Sequence, residues 1–277
     1  MEGMNVMRAT RVQARPTDWR RVAEVWVMPV LGILTLLGGW AALSASGWVS
    51  PKFLPGPVAV LQRMAELTQQ PYAGALLQQH LLASLEKFLL SFSIAVLVGV
   101  PLGLAMGRSK RLEWVVAPLF EAFRFIPPIA WVPFAIFWFG TGFLSPTLVI
   151  FAGAFAPCVL NAYRGARQID KHLLEAGQML GAGRWLTFTE ILLPAALTHI
   201  VAGMRVGAGF GWQSLIGAEL IVGSTGLGYM IVKGGSNLEP TVVMSGMITI
   251  GLIGATIDWC MRTLQERAFR SSDRKIR

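Results

Sequence analysis

Acidic side chains are scarce in this sequence: 15 aspartates and glutamates stand against 24 lysines and arginines, and charged residues make up only 14% of 277 positions. An ordinary soluble domain carries about 25% charged residues, so a water-soluble globule is excluded. Histidine and cysteine are scarcer still, at three and two. His80, His172 and His199 fall in or near different boundary segments and are assigned no role. Cys158 and Cys260 lie in or at the edge of apolar runs, without metal-ligand partners at useful spacing, and read as inert packing residues. No G-x4-G-K-[ST] phosphate loop and no H-E-x-x-H motif occurs. Nucleotide hydrolysis and zinc-dependent hydrolysis therefore have no machinery here.

What the chain does have is apolar length. Hydrophobic residues make up 54% and the mean hydropathy is +0.55, the composition of an integral membrane protein. The formal charge of +9 resides in short basic blocks beside long apolar runs, which is how topology signals are distributed, so nucleic acid is not expected as a partner.

Six crossings follow from run length, since about 20 residues span the hydrocarbon core. The first, from Val25 to Leu43, looks like a signal peptide because Arg20 and Arg21 precede it, but no convincing cleavage site follows and it reads as a retained helix. Pro55-Gly56-Pro57 opens an amphipathic piece along the outer surface, closed by Pro71. The second crossing covers residues 88–107. Residues 125–163 contain no charged side chain and are too long for one crossing, so spans three (Trp114 to Phe139) and four (Pro146 to Tyr163) are joined at Gly140-Thr141-Gly142 or at Ser145-Pro146. Pro127, Pro128 and Pro133 predict a kink or break in span three. Span five runs from Pro194 to Val222, a glycine-rich outer loop follows, and span six runs from Pro240 to Met261.

This layout places 18 lysines and arginines on one side and three on the other. By the positive-inside rule both termini are cytoplasmic. The expected organisation is a cytoplasmic arm at 1–24, a transmembrane domain at 25–262 with a cytoplasmic loop at 164–193, and a basic cytoplasmic tail at 263–277.

That loop holds the most distinctive pattern in the chain. Glu175-Ala176-Gly177-Gln178-Met179-Leu180-Gly181 is followed after nine residues by Ile191-Leu192-Leu193-Pro194. Glu175 to Leu180 favour helix apart from Gly177, Gly181 suits a left-handed helix end, and Pro194 suits the opening turn of the next helix. The expected result is a helical elbow at the membrane surface.

The pattern E-A-(A/G)-x3-G-x9-I-x-L-P resembles the cytoplasmic loop of permease subunits of bacterial ATP-binding-cassette (ABC) importers, with Gly177 where alanine is commonest. The stretches from Arg124 to Pro133, Trp138 to Gly142, Gly203 to Arg205, Ala218 to Leu220 and Gly226 to Gly228 resemble the nitrate, sulfonate, taurine and bicarbonate branch. Pro146 departs from it, standing where a polar or basic residue is usual. The resemblance implies an all-α, six-helix type I importer permease in a bacterial inner membrane, working as a homodimer. It also implies two ATPase subunits that bind ATP and magnesium, so this chain needs no cofactor, and a periplasmic binding protein that delivers a small anion. The ATPase-contacting residues it implies are Glu175, Ala176, Gly177, Leu180, Gly181, Ile191, Leu193 and Pro194. Related permeases also carry thiamine precursors. An ion-coupled secondary transporter, the competitor from another class, would show paired intramembrane acids and inverted repeats, and neither is apparent.

Two glycine ladders stand out: Gly99, Gly103 and Gly107 on span two, and Gly203, Gly207 and Gly211 on span five. Spacing of four puts each trio on one helix face, fit for packing within the bundle, for a sliding seam or for a subunit interface. Charges within spans cost roughly 2.5–3.5 kcal/mol at the centre of the bilayer on insertion scales and need partners or water. Glu121 lies one turn before Arg124 and should pair with it. Arg205 has no acidic residue one turn away and is the candidate to face a polar path or neighbouring carbonyls. Glu219 and Asp258, near opposite ends of spans five and six, read as structural or gate residues.

Overall fold

The computed structural model describes residues 19–50 and 52–275, with side chains from Val27 to Ala268; the expected arm at 1–24 lies largely outside the described residues. Two compact units are present, one ending at Pro57 and one starting at Val58. The first holds α1 (Trp19–Ala45), whose end is tied to the following turn by bonds from Trp40 Nε1 to the Pro55 carbonyl (3.0 Å) and from Ser44 Oγ to the Leu54 carbonyl (3.1 Å).

The second unit is all helix apart from a single bridge between Tyr72 and Ala75. It contains α2 (Pro57–Gln69), α3 (Leu77–Arg108), α4 (Lys110–Arg124), a 3-10 turn at Pro128–Trp131, α5 (Val132–Phe139), α6 (Leu144–Arg167) and α7 (Lys171–Met179). A long helix, α8 (Arg184–Val222), is followed by α9 (Leu227–Ser236) and α10 (Pro240–Lys275). Among the described residues, five helices are long and apolar enough to cross a membrane, and a sixth span results if α4 and the segment from Pro128 to Phe139, bent by 91°, count as one. The three prolines of span three thus coincide with a right-angled break rather than a gentle kink. Pro127 lacks an N–H and opens the 3-10 turn in extended conformation.

The centre of the unit is α6, held between α3 and α8 by the two glycine ladders. A methyl group on Gly103 would lie 2.8 Å from Ala162 Cβ, and one on Gly107 would lie 2.6 Å from Ala166 Cβ. On the opposite side, a methyl on Gly203 would meet Asn161 Cβ at 2.6 Å and one on Gly207 the Ala154 carbonyl at 2.9 Å. Both ladders therefore pack within one bundle, facing α6 from two directions. Around this sandwich lie Phe88, Phe92, Trp212, Leu215 and Met230, with the Trp212 ring edge-on to Phe88 at 5.6 Å and its N–H donating to the Ile250 carbonyl of α10.

A buried polar cluster joins α3, α8 and the start of α9. Glu219 accepts from Lys87 Nζ (2.9 Å), Ser84 Oγ (2.9 Å) and the Gly228 amide (3.0 Å), while Lys87 also donates to the Thr225 carbonyl (2.6 Å). His80 is fully buried, not a solvated boundary residue: its Nε2 faces the Tyr72 carbonyl at 2.9 Å and its Nδ1 accepts from the Gly226 amide at 3.2 Å, so the neutral ring with its proton on Nε2 satisfies both. Gly226 has φ +120°, and a side chain there would run into the Glu219 carboxylate. At the same end, Arg63 of α2 reaches Glu66 (2.9 Å) and Glu239 (3.1 Å). Partial burial lifts the neighbouring Tyr72 phenol above its usual range, so it stays protonated and accepts from Asn237.

Three boundaries differ from expectation. Helix α3 begins eleven residues before position 88, because Lys87 is neutralised by Glu219 and can enter the helical bundle. The glycine-rich segment after Val222 contains the ten-residue helix α9. Helix α10 does not stop at Met261 but runs through the basic tail to Lys275, where the i,i+4 pair of Arg262 and Glu266 (3.2 Å) supports its exposed continuation. Pro194 stands where expected, in the opening turn of the α-helical stretch Leu193–Val222 that makes up most of α8. A wide, π-type turn at Thr187–Leu192 precedes Pro194, where its ring would otherwise clash with the carbonyl of Glu190.

Gly103→Val is expected to lower thermal stability in detergent by about 1–3 kcal/mol through overpacking, whereas Gly251→Val, at a position with open space around it, is expected to unfold within a degree or two of the parent. Lys87→Met is expected to cost about 3–5 kcal/mol by stranding a buried carboxylate, with much of the loss recovered in the Lys87→Met/Glu219→Gln double variant. Additive losses in the unfolding curves would show that the pair is not coupled.

Candidate functional site

The elbow forms as an independent local structure. Asp170 caps α7 by accepting from the His172 amide (2.9 Å), and the helix is stopped at Gly181, whose φ of +81° only glycine adopts freely. The Ala182 amide donates to the Gly177 carbonyl (2.9 Å) and the Gly181 amide to the Gln178 carbonyl (2.9 Å). That paired pattern closes the end of α7 without leaving free carbonyls in the turn.

Gly177 is buried against Ile191, and a methyl group at Gly177 would lie 2.5 Å from Ile191 Cδ1. Glycine here lets the Ile191 side chain of the π-type turn seat directly on α7, so the elbow is locked to the base of α8. Its tip carries Met179 and Leu180, each 88% exposed, beside Trp185 at 76%. Glu175 is exposed on the same short helix, with His172 at 3.7 Å, and Ala176 accepts from the Leu180 amide. Leu193 and Pro194 follow the π-type turn within α8. Glu175, Ala176, Gly177, Leu180 and Gly181 thus form one elbow seated on Ile191, with Leu193 and Pro194 next along the chain, and its tip exposes Met179 and Leu180.

Beyond the elbow, three charged residues singled out in the sequence have partners. Arg124 pairs with Glu121 at 2.6 Å, as its spacing suggests, and stacks over Phe125 at 4.5 Å. Arg205 is not left for carbonyls or a free path: it makes a two-pronged contact with Asp258 of α10 (2.7 and 2.9 Å) and reaches Gln265 at 3.4 Å. This pair sits in an open groove of about 470 Å³ shared with Gln213 and Phe210. Glu219 belongs to the Lys87 cluster described above and is 1% exposed.

Sequence reading missed Lys87, His80 and Asp258 as partners. His80, Ser84 and Lys87 recur at helical spacing along α3, a polar stripe in an otherwise apolar helix that could have been noticed. Asp258 lies 53 positions from Arg205, so no local spacing rule connects them. Also unforeseen is the tie between the start of α4 and the end of α6, where Glu113 accepts from Tyr163 (2.5 Å) and pairs with Arg167.

A second cavity, of about 460 Å³, lies between the broken α4 segment, α6 and α8, and is lined by Phe123, Arg124, Asn161, Arg164 and Phe210 among others. None of the described residues that line it is acidic. Among the described residues, no three or more histidine, cysteine, aspartate or glutamate side chains are gathered so as to hold a metal.

Residues 99–271 match a family described as binding-protein-dependent transport system inner membrane component. The chain is 36% identical over 266 residues to the taurine transport system permease protein TauC of Escherichia coli K12, covering 95% of this chain and 97% of that one. It is 31% identical over 245 residues to the putative aliphatic sulfonates transport permease protein SsuC of Bacillus subtilis 168, covering 88% and 87%. It is 31% identical over 261 residues to the bicarbonate transport system permease protein CmpB of Synechococcus elongatus, covering 91% and 93%. A chain of the inward-facing MetNI methionine ABC transporter matches with a TM-score of 0.63 at 19% identity, over 69% of this chain and 95% of that one, a likeness of fold. An all-α bundle of five or six apolar helices with a surface elbow suits a membrane-spanning transport subunit, and the chain belongs to the family of binding-protein-dependent transport system inner membrane components, the permease subunits of ABC importers.

Proposed function

We propose that two copies of this chain form the translocation path of an importer in a bacterial inner membrane, with two ATPase subunits on the cytoplasmic face and a periplasmic binding protein on the other. ATP and magnesium are held by the ATPases and no cofactor by this chain. The cargo is a small anion of the sulfonate, taurine or nitrate kind. Relatives named for taurine, aliphatic sulfonates and bicarbonate support that class, and the 18-to-three distribution of basic residues supports the orientation.

The observation that carries the reading is the construction of the elbow. An exposed apolar tip at Met179 and Leu180 is wasteful in water but suits a groove on a second protein. The tip is fixed by the closed turn at Gly181 and by the seating of Ile191 against Gly177. Below it, α8 runs from Arg184 through the π-type turn to Val222, a 39-residue element that passes the Arg205 groove and ends at the Glu219 cluster. A displacement of the tip is therefore delivered to residues that line the path, instead of being absorbed in a loose loop. The chemistry of ATP stays in the partner, and this chain converts the partner's motion into a change of access.

Tagged chain purified in mild detergent from its own cells is expected to bring down an ATPase subunit. Glu175→Arg and Leu180→Asp are each expected to reduce that recovery at least about tenfold, roughly 1.4 kcal/mol or more of binding, while thermal unfolding of the permease stays unchanged. Transport by the purified chain with no ATPase attached would overturn the proposed mechanism.

A further inference from the structure

We propose that the cavity between the broken α4 segment, α6 and α8 is a transit site for the anionic cargo, with Arg164 as the residue that receives its charge. This rests on the permease reading and adds to it a binding residue on this chain.

Arginines on α4, α6, α8 and α10 differ in whether a carboxylate offsets them. Arg124 is offset by Glu121, Arg167 by Glu113, Arg205 by Asp258 and Arg262 by Glu266. Among the described residues, no carboxylate pairs with Arg164, although it stands one helical turn before the paired Arg167 on α6. Its guanidinium lines a cavity of about 460 Å³ in which Arg124 supplies a second, compensated guanidinium and none of the described lining residues is acidic. The volume falls within the range of about 300–1,000 Å³ typical of small-molecule sites.

Shape supports the same assignment. The cavity follows α6 from Ala152 to Arg164, roughly 18 Å at 1.5 Å per residue, so it is elongated along the helix. Most of the wall is apolar, with Phe123 of α4 and Phe210 of α8 among its lining residues, and Asn161 occupies its amide by donating to the Pro157 carbonyl (2.9 Å). An apolar wall ending at one uncompensated guanidinium fits a cargo with a short aliphatic body and a sulfonate or carboxylate head. The planar donor fork engages two oxygens of such a head at once. With α6 ending at Arg167, Arg164 lies at the cytoplasmic mouth in the proposed orientation. A positive charge there draws an anion inward along a low-dielectric wall, and water at the mouth lets it leave. Arg205, by contrast, is held by a bidentate carboxylate and has less positive potential to offer.

The test uses the complete transporter, copurified with its ATPase and reconstituted in proteoliposomes with its binding protein. Uptake of radiolabelled taurine, ethanesulfonate and bicarbonate is measured separately for the parent, Arg164→Gln, Arg164→Lys and Ala156→Phe, the last to fill the cavity while leaving its charge intact. For at least one of the three anions the expected result is a loss of tenfold or more in Arg164→Gln, recovery to within about threefold of the parent in Arg164→Lys, and a comparable loss in Ala156→Phe. ATPase recovery should stay at the parent level in all variants. If Arg164→Gln assembles poorly, the Lys and Phe variants decide: loss in Arg164→Lys equal to that in Arg164→Gln, or parent-like uptake in Ala156→Phe, overturns the site. Uptake by Arg164→Gln within twofold of the parent also overturns it. A parent transporter that hydrolyses ATP in response to its binding protein but imports none of the three anions overturns the anion site and leaves the permease reading standing. If no ATPase copurifies with the parent, the permease reading itself falls.

Discussion

The close approach of three helix backbones is the constraint on which the rest depends. Lipid offers helices no hydrophobic gain from associating, so packing has to come from contact at short range. In this chain α6 supplies alanines and a cysteine on two faces, and α3 and α8 answer with glycines at every fourth position. Because the sandwich is tight, its edges are defined. The Glu219 cluster closes one end, and the Glu113, Tyr163 and Arg167 contact ties α4 to the other end of α6. The cavity beside α6 and the groove at Arg205 are what remains between helices that cannot come closer.

Polar groups inside the bundle follow a consistent rule. The carboxylate of Glu219 meets an ammonium, a hydroxyl and a backbone amide, and its partners Lys87 and Ser84 in turn reach the chain between Thr225 and Leu227. Such a fully satisfied network specifies one arrangement of α3, α8 and α9 even where its net contribution to stability is small. Among the described residues Trp131 is the exception: its indole N–H is buried and has no partner. It sits at the 91° break, packed between Phe123 and Phe134. The backbone there departs most from regular helix, and apolar rings fill the corner.

Features governed by spacing along the chain could be read from it. Glycine every fourth residue announced a packing face, Gly181 announced the end of α7, and the three prolines announced the break in span three. The pairing of Glu121 with Arg124 follows from one turn of helix. Features that depend on where distant segments meet were not legible. Lys87 and Glu219 are 132 positions apart and Arg205 and Asp258 are 53 apart, and each looked like a solitary charge until the fold brought them together. The helix α9 was hidden because glycines at 228, 234 and 235 weaken its local propensity, while burial of Leu227 and Met230 in the core sustains it. Pro194 was legible as the opening turn of the α-helical stretch Leu193–Val222, but no local spacing announced the widened turn that precedes it.

That widened turn has a geometrical meaning of its own. A π-type turn accommodates about one residue more than an α-helical turn, and one residue corresponds to roughly 100° of rotation about the axis. The stretch at Thr187–Leu192 therefore sets the phase between the two ends of α8: the direction in which Trp185 and the elbow face relative to Val206 and Phe210 further along. Losing a single residue there would leave every helix in place yet aim the elbow at a different quarter of the membrane surface. The angular register of a lever, as much as its length or stiffness, is written into those six positions.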